Sequence, residues 1–103
     1  FGGAAIAVDV GTAITIDAVD ATGAFRGGAI APGPRLLARA LALETELLPE
    51  VSFRAVEAQR GRDTQSAIEL ALFHGTAGLV DRLIEIVGRD LGARGVLLCG
   101  GYA

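Results

Sequence analysis

The sequence predicts an α/β fold in one domain, residues 1–103, with a three-stranded meander followed by helix–strand alternation and helices packed on a mixed sheet. Three observations carry that prediction. Two Ala/Ile/Val-rich runs between Ala4 and Val19 meet at a turn containing Gly11. A helical period occupies most of the second half, and Gly95–Cys99 is short and continuously apolar, as a buried strand of a parallel pair should be.

Taken in order, Ala4–Val19 reads as a β-hairpin, with Thr15 and Asp17 in alternation with apolar residues. Asp20-Ala-Thr-Gly23 is a turn by composition, and Ala24–Ala31 is a third strand. Its Gly27-Gly28 pair signals either a bulge or the close approach of another backbone or a ligand. Pro32-Gly-Pro34 stops the sheet and opens a helix, Pro34 suiting the first turn. Leu36, Leu37, Ala40, Leu41, Leu47 and Leu48 recur at helical spacing, so the helix is expected over Arg35–Leu48, ended by Pro49.

Val51–Val56 reads as a short strand or an extended connection, and Gln59–Thr64 as a charged loop in which Asp63 or Thr64 caps the next helix. That helix carries a stripe from Ala67 to Leu91, with Gly92 as its terminator and a kink or division expected at Gly75–Gly78. The small residues Ala71, Gly75 and Gly78 admit close packing, by the sheet or by a second subunit. Gly95–Cys99 then ends in Gly100-Gly101, and is expected at the centre of a parallel pairing.

The composition is globular, 51% hydrophobic and 20% charged, with no apolar run free of charge long enough to span a bilayer. A net charge of -3 gives no electrostatic reason to expect nucleic acid or an anionic membrane as partner. Cys99 is the only cysteine, which excludes an internal disulfide and suits a reducing, cytoplasmic setting. The chain has no methionine and opens almost at once on a core strand, so it reads as a piece of a longer protein, with the helix expected to cover Gly95–Cys99 lying outside it.

The chemistry concentrates at the hairpin tip. Gly11 is expected to bend the chain with φ > 0, backbone N–H groups there can cradle an anion, Thr12 adds a hydroxyl, and Asp9 can hold a cation. These features describe a phosphate-and-cation corner, or else an ordinary hairpin turn.

Five stretches in order resemble one family: Asp9–Asp17, Gly27–Gly33, Ala40-Leu41 with Thr45 and Leu48-Pro49, Gly61–Thr64 with Ala67-Ile68, and Leu98–Gly101. Together they are similar to the second, C-terminal lobe of type III pantothenate kinase, over essentially the whole chain. The resemblance implies a ribonuclease-H-like (actin-like ATPase) domain of the acetate and sugar kinase/actin superfamily. It implies transfer of the γ-phosphoryl group of ATP to pantothenate in coenzyme A biosynthesis, with magnesium and a monovalent cation (potassium or ammonium), and a homodimer formed through this lobe. Residue by residue, it implies that Asp9 binds the monovalent cation, Gly11 and Thr12 the ATP, Thr64 the pantothenate, and Gly100 and Gly101 pass beneath the nucleotide.

No catalytic residue is expected in this chain. The phosphate motif Asp-x-Gly-Asn-Thr and the Gly-x-Asp-Arg motif bearing the general base belong to the first lobe, and neither occurs here. Ala71 replaces a usual glycine and Tyr102 a small acidic or polar residue. The alternative reading is a catalytically inactive accessory transcription factor, or another nucleotide-binding protein of the same fold. His74 has no acidic or cysteine partner at ligand spacing and is expected in a structural or interface role, and Cys99, without neighbouring bases, is expected as an inert core thiol. Asp17 and Asp20 are expected as a strand-end pair facing solvent, with the cleft as the alternative for Asp17; Arg60 and Arg62 are expected in a solvated loop, with contact to a phosphate or carboxylate as their alternative.

Overall fold

Residues 3–45, 47–92 and 95–101 are described by a computed structural model. Strands β1 (Ala5–Val10), β2 (Ala13–Val19) and β3 (Phe25–Pro32) form the expected meander, followed by helices α1 (Pro34–Glu44) and α2 (Thr64–Val87) and strand β4 (Gly95–Cys99). The sheet order is β3-β2-β1-β4, antiparallel except for the parallel β1–β4 pair. The fold is therefore α/β with a mixed four-stranded sheet.

Period-2 alternation fixes which face is buried. Ile6, Val8 and Val10 of β1 stand beside Ala18, Ile16 and Ile14 of β2, all at most 6% exposed. Leu79, Val80, Leu83, Ile84 and Val87 of α2 cover this face, with Leu91 beyond the helix. A second cluster, Ala38, Val51, Ile68 and Leu72, joins α1, the 45–63 connection and the first half of α2. The helix α2 thus bridges two cores. It runs antiparallel to β1, since Gly88 lies over Ile6 while Thr76 and Val80 share a cleft with Val10.

Several expectations need correction. Helix α1 stops at Glu44, four residues early: Thr45 turns extended and its hydroxyl donates to the Leu41 carbonyl, a competition that Thr offers a helix end. Leu47 is then solvent-exposed, and Leu48 reaches the second cluster from outside the helix. Of the two readings of Val51–Val56, the connection holds and the strand does not. Helix α2 runs unbroken past Gly75 and Gly78 and ends at Val87, with the Gly88 N–H donating to the Ile84 carbonyl at 3.0 Å. Gly92 follows in a later turn at φ +58°. Strand β4 is parallel to β1 as expected but lies at the sheet edge, where Val96, Leu97 and Leu98 are about half exposed. In β3 the register shifts beside Ala18: Phe25 faces Val19 and Gly27 (φ +109°) faces Ala18, which is a bulge at Arg26.

Candidate functional site

The C-terminal ends of β1 and β4, the start of β2 and the start of α1 meet at one corner. Asp9, near the end of β1, pairs across the ladder with Thr15 on one side and Cys99 on the other. Its carboxylate is exposed and has no hydrogen bond or ion pair among the described residues. Gly11 and Thr12 follow in a connection closed by the Gly11 N–H donating to the Ala13 carbonyl at 3.0 Å. Gly11 does not adopt φ > 0, contrary to expectation; a Cβ there would meet only ordinary contacts at 3.8 and 3.9 Å. The tip closes over three residues in ordinary backbone geometry, with Val10 and Ile14 as its last pair.

The steric demand for glycine falls elsewhere. Gly33, the residue before α1, donates its N–H to the Thr12 carbonyl at 2.9 Å, and a Cβ on it would overlap the carbonyls of Gly11 and Thr12. This close approach brings the start of α1 to the hairpin tip, and Gly33 gives that helix no side-chain cap. Gly100 sits at φ +100°, a backbone region that side chains resist. A Cβ on Gly100 would overlap both Asp9 Oδ1 and the Val10 carbonyl oxygen, so two oxygens converge on one point beside it. Among the described residues, nothing lies within 4 Å of a would-be Cβ on Gly101.

The corner can therefore present a free carboxylate, a second converging oxygen, the Thr12 hydroxyl and the N-terminal end of a helix. Oxygen donors of this kind suit a hard cation, and the helix end suits an anion.

The sequence model of the type III pantothenate kinases matches residues 1–86. The chain belongs to that family. The type III pantothenate kinase of Endomicrobium trichonymphae is 37% identical over 103 residues, covering 100% of this chain and 40% of its own length. That of Synechococcus elongatus is 50% identical over 78 residues, covering 76% of this chain and 32% of its own. The chain thus spans about two fifths or less of the curated relatives it matches. A crystal structure from Campylobacter jejuni, of a protein assigned to the Baf family of transcriptional activators, has a similar fold at TM-score 0.57 and 20% identity, covering 94% of this chain and 51% of its own.

Set against the residues the family resemblance singles out, Asp9, Gly11, Thr12 and Gly100 come together and Thr64 does not. Thr64 is the first residue of α2, twelve residues before Thr76, so it stands about 18 Å further along the helix axis at ~1.5 Å per residue. The cap of α2 is Asp63: its carboxylate accepts the Ser66 N–H at 2.7 Å, and the Ser66 hydroxyl accepts the Asp63 N–H at 3.2 Å. The Ser66 amide bond is the main reason the Asp63 carboxyl titrates below its ordinary range. Thr64 is left exposed, with no hydrogen bond from its hydroxyl among the described residues.

His74 ties the connection to α2: its Nε2 lies 2.9 Å from the Val56 carbonyl, which can only accept, so Nε2 is the donor. Cys99 is not a core thiol. The edge position of β4 leaves it exposed, with its Sγ 3.4 Å from the Val8 carbonyl. Asp17 is partly buried opposite Gly28. Asp20 caps its own turn, accepting from the Thr22 hydroxyl and from the Thr22 and Ala24 amides, which lower its pKa. Tyr102 lies outside the described residues. Among the described residues, no group of three or more His, Cys, Asp and Glu is placed to hold a metal ion, and no helix is long and apolar enough to cross a membrane.

Residue-by-residue reading misses Gly33 and the pair Arg54–Glu69. Pro32-Gly-Pro34 announces a helix start but not what the glycine touches. Glu69, 6% exposed, sits on the inward stripe of α2, and its signal is an acid next to Ile68 in an otherwise apolar pattern.

Proposed function

We propose that this chain is the second lobe of a cytoplasmic type III pantothenate kinase of ribonuclease-H-like fold. The protein would transfer the γ-phosphoryl group of ATP to the pantothenate hydroxyl, giving 4'-phosphopantothenate for coenzyme A synthesis. The observation that supports this best is the convergence of Asp9, Thr12, Gly33 and Gly100 on one corner. Phosphoryl transfer needs positioning and charge neutralisation more than covalent chemistry. Asp9 would hold a potassium or ammonium ion together with the Val10 carbonyl, where a Cβ on Gly100 would otherwise sit. The bound monovalent cation would offset phosphate charge, and magnesium would come with the nucleotide. Thr12 would donate to a phosphate oxygen, Gly11 would line its approach, and Gly100 and Gly101 would run beneath the nucleotide. The general base would come from the other lobe.

Thr64 would contact pantothenate, and its distance from the corner fits a pantothenate site shared between two subunits. At about 100° per residue, Thr64, Ala71, Gly75 and Gly78 fall on one side of α2, and all four are exposed. Such a stripe lets a second copy of the helix come close, placing the partner's Thr64 away from its own corner and near the other.

The decisive experiment is ADP release by the longest natural form of the protein, with magnesium-ATP and potassium, with and without pantothenate. Pantothenate-dependent release is the expected result. Its absence from a well-folded sample would move the assignment to an accessory regulator or a nucleotide-binding protein of other specificity.

A further inference from the structure

Glu69 is a carboxylate on the covered side of α2, next to buried Ile68, with its side chain 7% exposed. Its partner is Arg54, which engages it as a fork: Nε to Oε2, and Nη2 to Oε1 at 3.1 Å. Glu69 raises the Arg54 pKa, mainly through those hydrogen bonds. The Arg54 side chain is 65% exposed, so solvent screens the pair and its contribution to stability is modest; stability alone does not account for an acid here.

The pair holds a strap. Residues 51–58 lie along α2, attached by buried Val51, by the Phe53 ring 5.9 Å from that of Phe73, by Arg54, and by the Val56 carbonyl on His74. The chain then enters the Gly61–Thr64 corner at the helix start. Gly61 packs so tightly on Ala67 that a Cβ would overlap its backbone, and the Arg62 N–H donates to the Ser66 hydroxyl at 3.0 Å. Arg54, Gly61, Ser66 and Glu69 line one cleft of about 440 Å³. Strap, corner and the first turn of α2 are thus one mechanical unit, in which the Arg54–Glu69 fork is the charged attachment.

We propose that Arg54 and Glu69 are positioning residues for the substrate contact made by Thr64, setting where the Gly61–Thr64 corner stands relative to bound pantothenate. The inference rests on the kinase reading of Thr64. A fork of two hydrogen bonds fixes both distance and orientation, which an apolar contact would not, and a binding contact held out of place raises the KM of the substrate it touches with kcat unchanged.

The test uses the longest natural form of the protein and the variants Glu69→Gln, Arg54→Gln and Arg54→Lys. The first two should raise the pantothenate KM about tenfold while the ATP KM and kcat stay within about twofold. Arg54→Lys, which keeps the charge and loses the fork, should fall between them and the wild type. An unchanged pantothenate KM, or both KM values and kcat shifting together with a fall in Tm, would overturn the proposal. Amide exchange at residues 61–66 reads the same geometry without turnover: faster exchange in Glu69→Gln supports the clasp, and unchanged exchange overturns it. Loss of the kinase reading itself would be recognised separately, by wild-type protein that releases no ADP in response to pantothenate.

Discussion

Asp9 stands at a strand end where its carboxylate is unshared and a second oxygen, the Val10 carbonyl, is close at hand. Replacement by Asn keeps the size and hydrogen-bonding capacity and removes the charge that would attract a cation. Asp9→Asn should weaken the potassium response of ADP release by about tenfold or more, since a hard cation depends on anionic oxygen ligands. The Tm should barely move, because the side chain is exposed and has no hydrogen bond or ion pair among the described residues. A potassium titration that superimposes on the wild type would remove Asp9 from the cation site. Gly100, beside it, shows why residue type and residue role are different questions: its φ of +100° and its closeness to Asp9 are reasons for glycine that no ligand is needed to explain.

At the scale of the element, the start of α2 separates two duties that one short string makes hard to tell apart. Asp63 caps the helix, and Thr64, next to it, is spared that work. Thr64→Ala should therefore leave Tm near the wild type and raise the pantothenate KM more than the ATP KM; equal effects on both would mean a helix-start defect. The cap has its own signature in acid. The folded-state pKa of Asp63 is depressed below the ordinary value of 3.8, so the bond's contribution to stability is present above that value and is lost as pH falls through the folded pKa. Acid unfolding below about pH 4 should therefore be shallower in Asp63→Asn than in the wild type, with the two curves parallel at neutral pH.

For the whole molecule, the outward side of α2 matters more than its inward side. Gly75 and Gly78 do not kink the helix, do not touch the sheet and have nothing within 4 Å of a would-be Cβ. A side chain there is sterically free in the single chain and even favours the helix. If a second copy packs on that stripe, Gly75→Leu and Gly78→Leu should lower the sedimenting mass from dimer to monomer without lowering the helix content. An unchanged mass would place the subunit contact elsewhere.

Much of this architecture is readable in the residues, for physical reasons that can be named. The hairpin declares itself because alternation of Ile and Val with Ala, Thr and Asp leaves a sheet with one buried face. The start of α1 follows from Pro34, and the start of α2 from Asp63 and Ser66, because both signals act over one turn of chain. The corner residues Asp9, Thr12 and Gly100 are recognisable from the family's motifs, and the fold brings them together. What local pattern cannot supply is the neighbour in space. Periodicity carried α1 on to Leu48, yet Thr45 ends it. The apolar run Gly95–Cys99 suits a central strand, yet sheet order puts it at the edge with Leu97 and Cys99 exposed. Gly33 owes its necessity to the Gly11 and Thr12 carbonyls far back along the chain, and Glu69 owes its tolerance to Arg54, fifteen residues earlier. Composition, period and capping are properties of a few consecutive residues, so the sequence alone determined the elements and the motif string. Sheet order, close approach and the pairing of a buried charge depend on segments distant along the chain, and only the tertiary structure decided them.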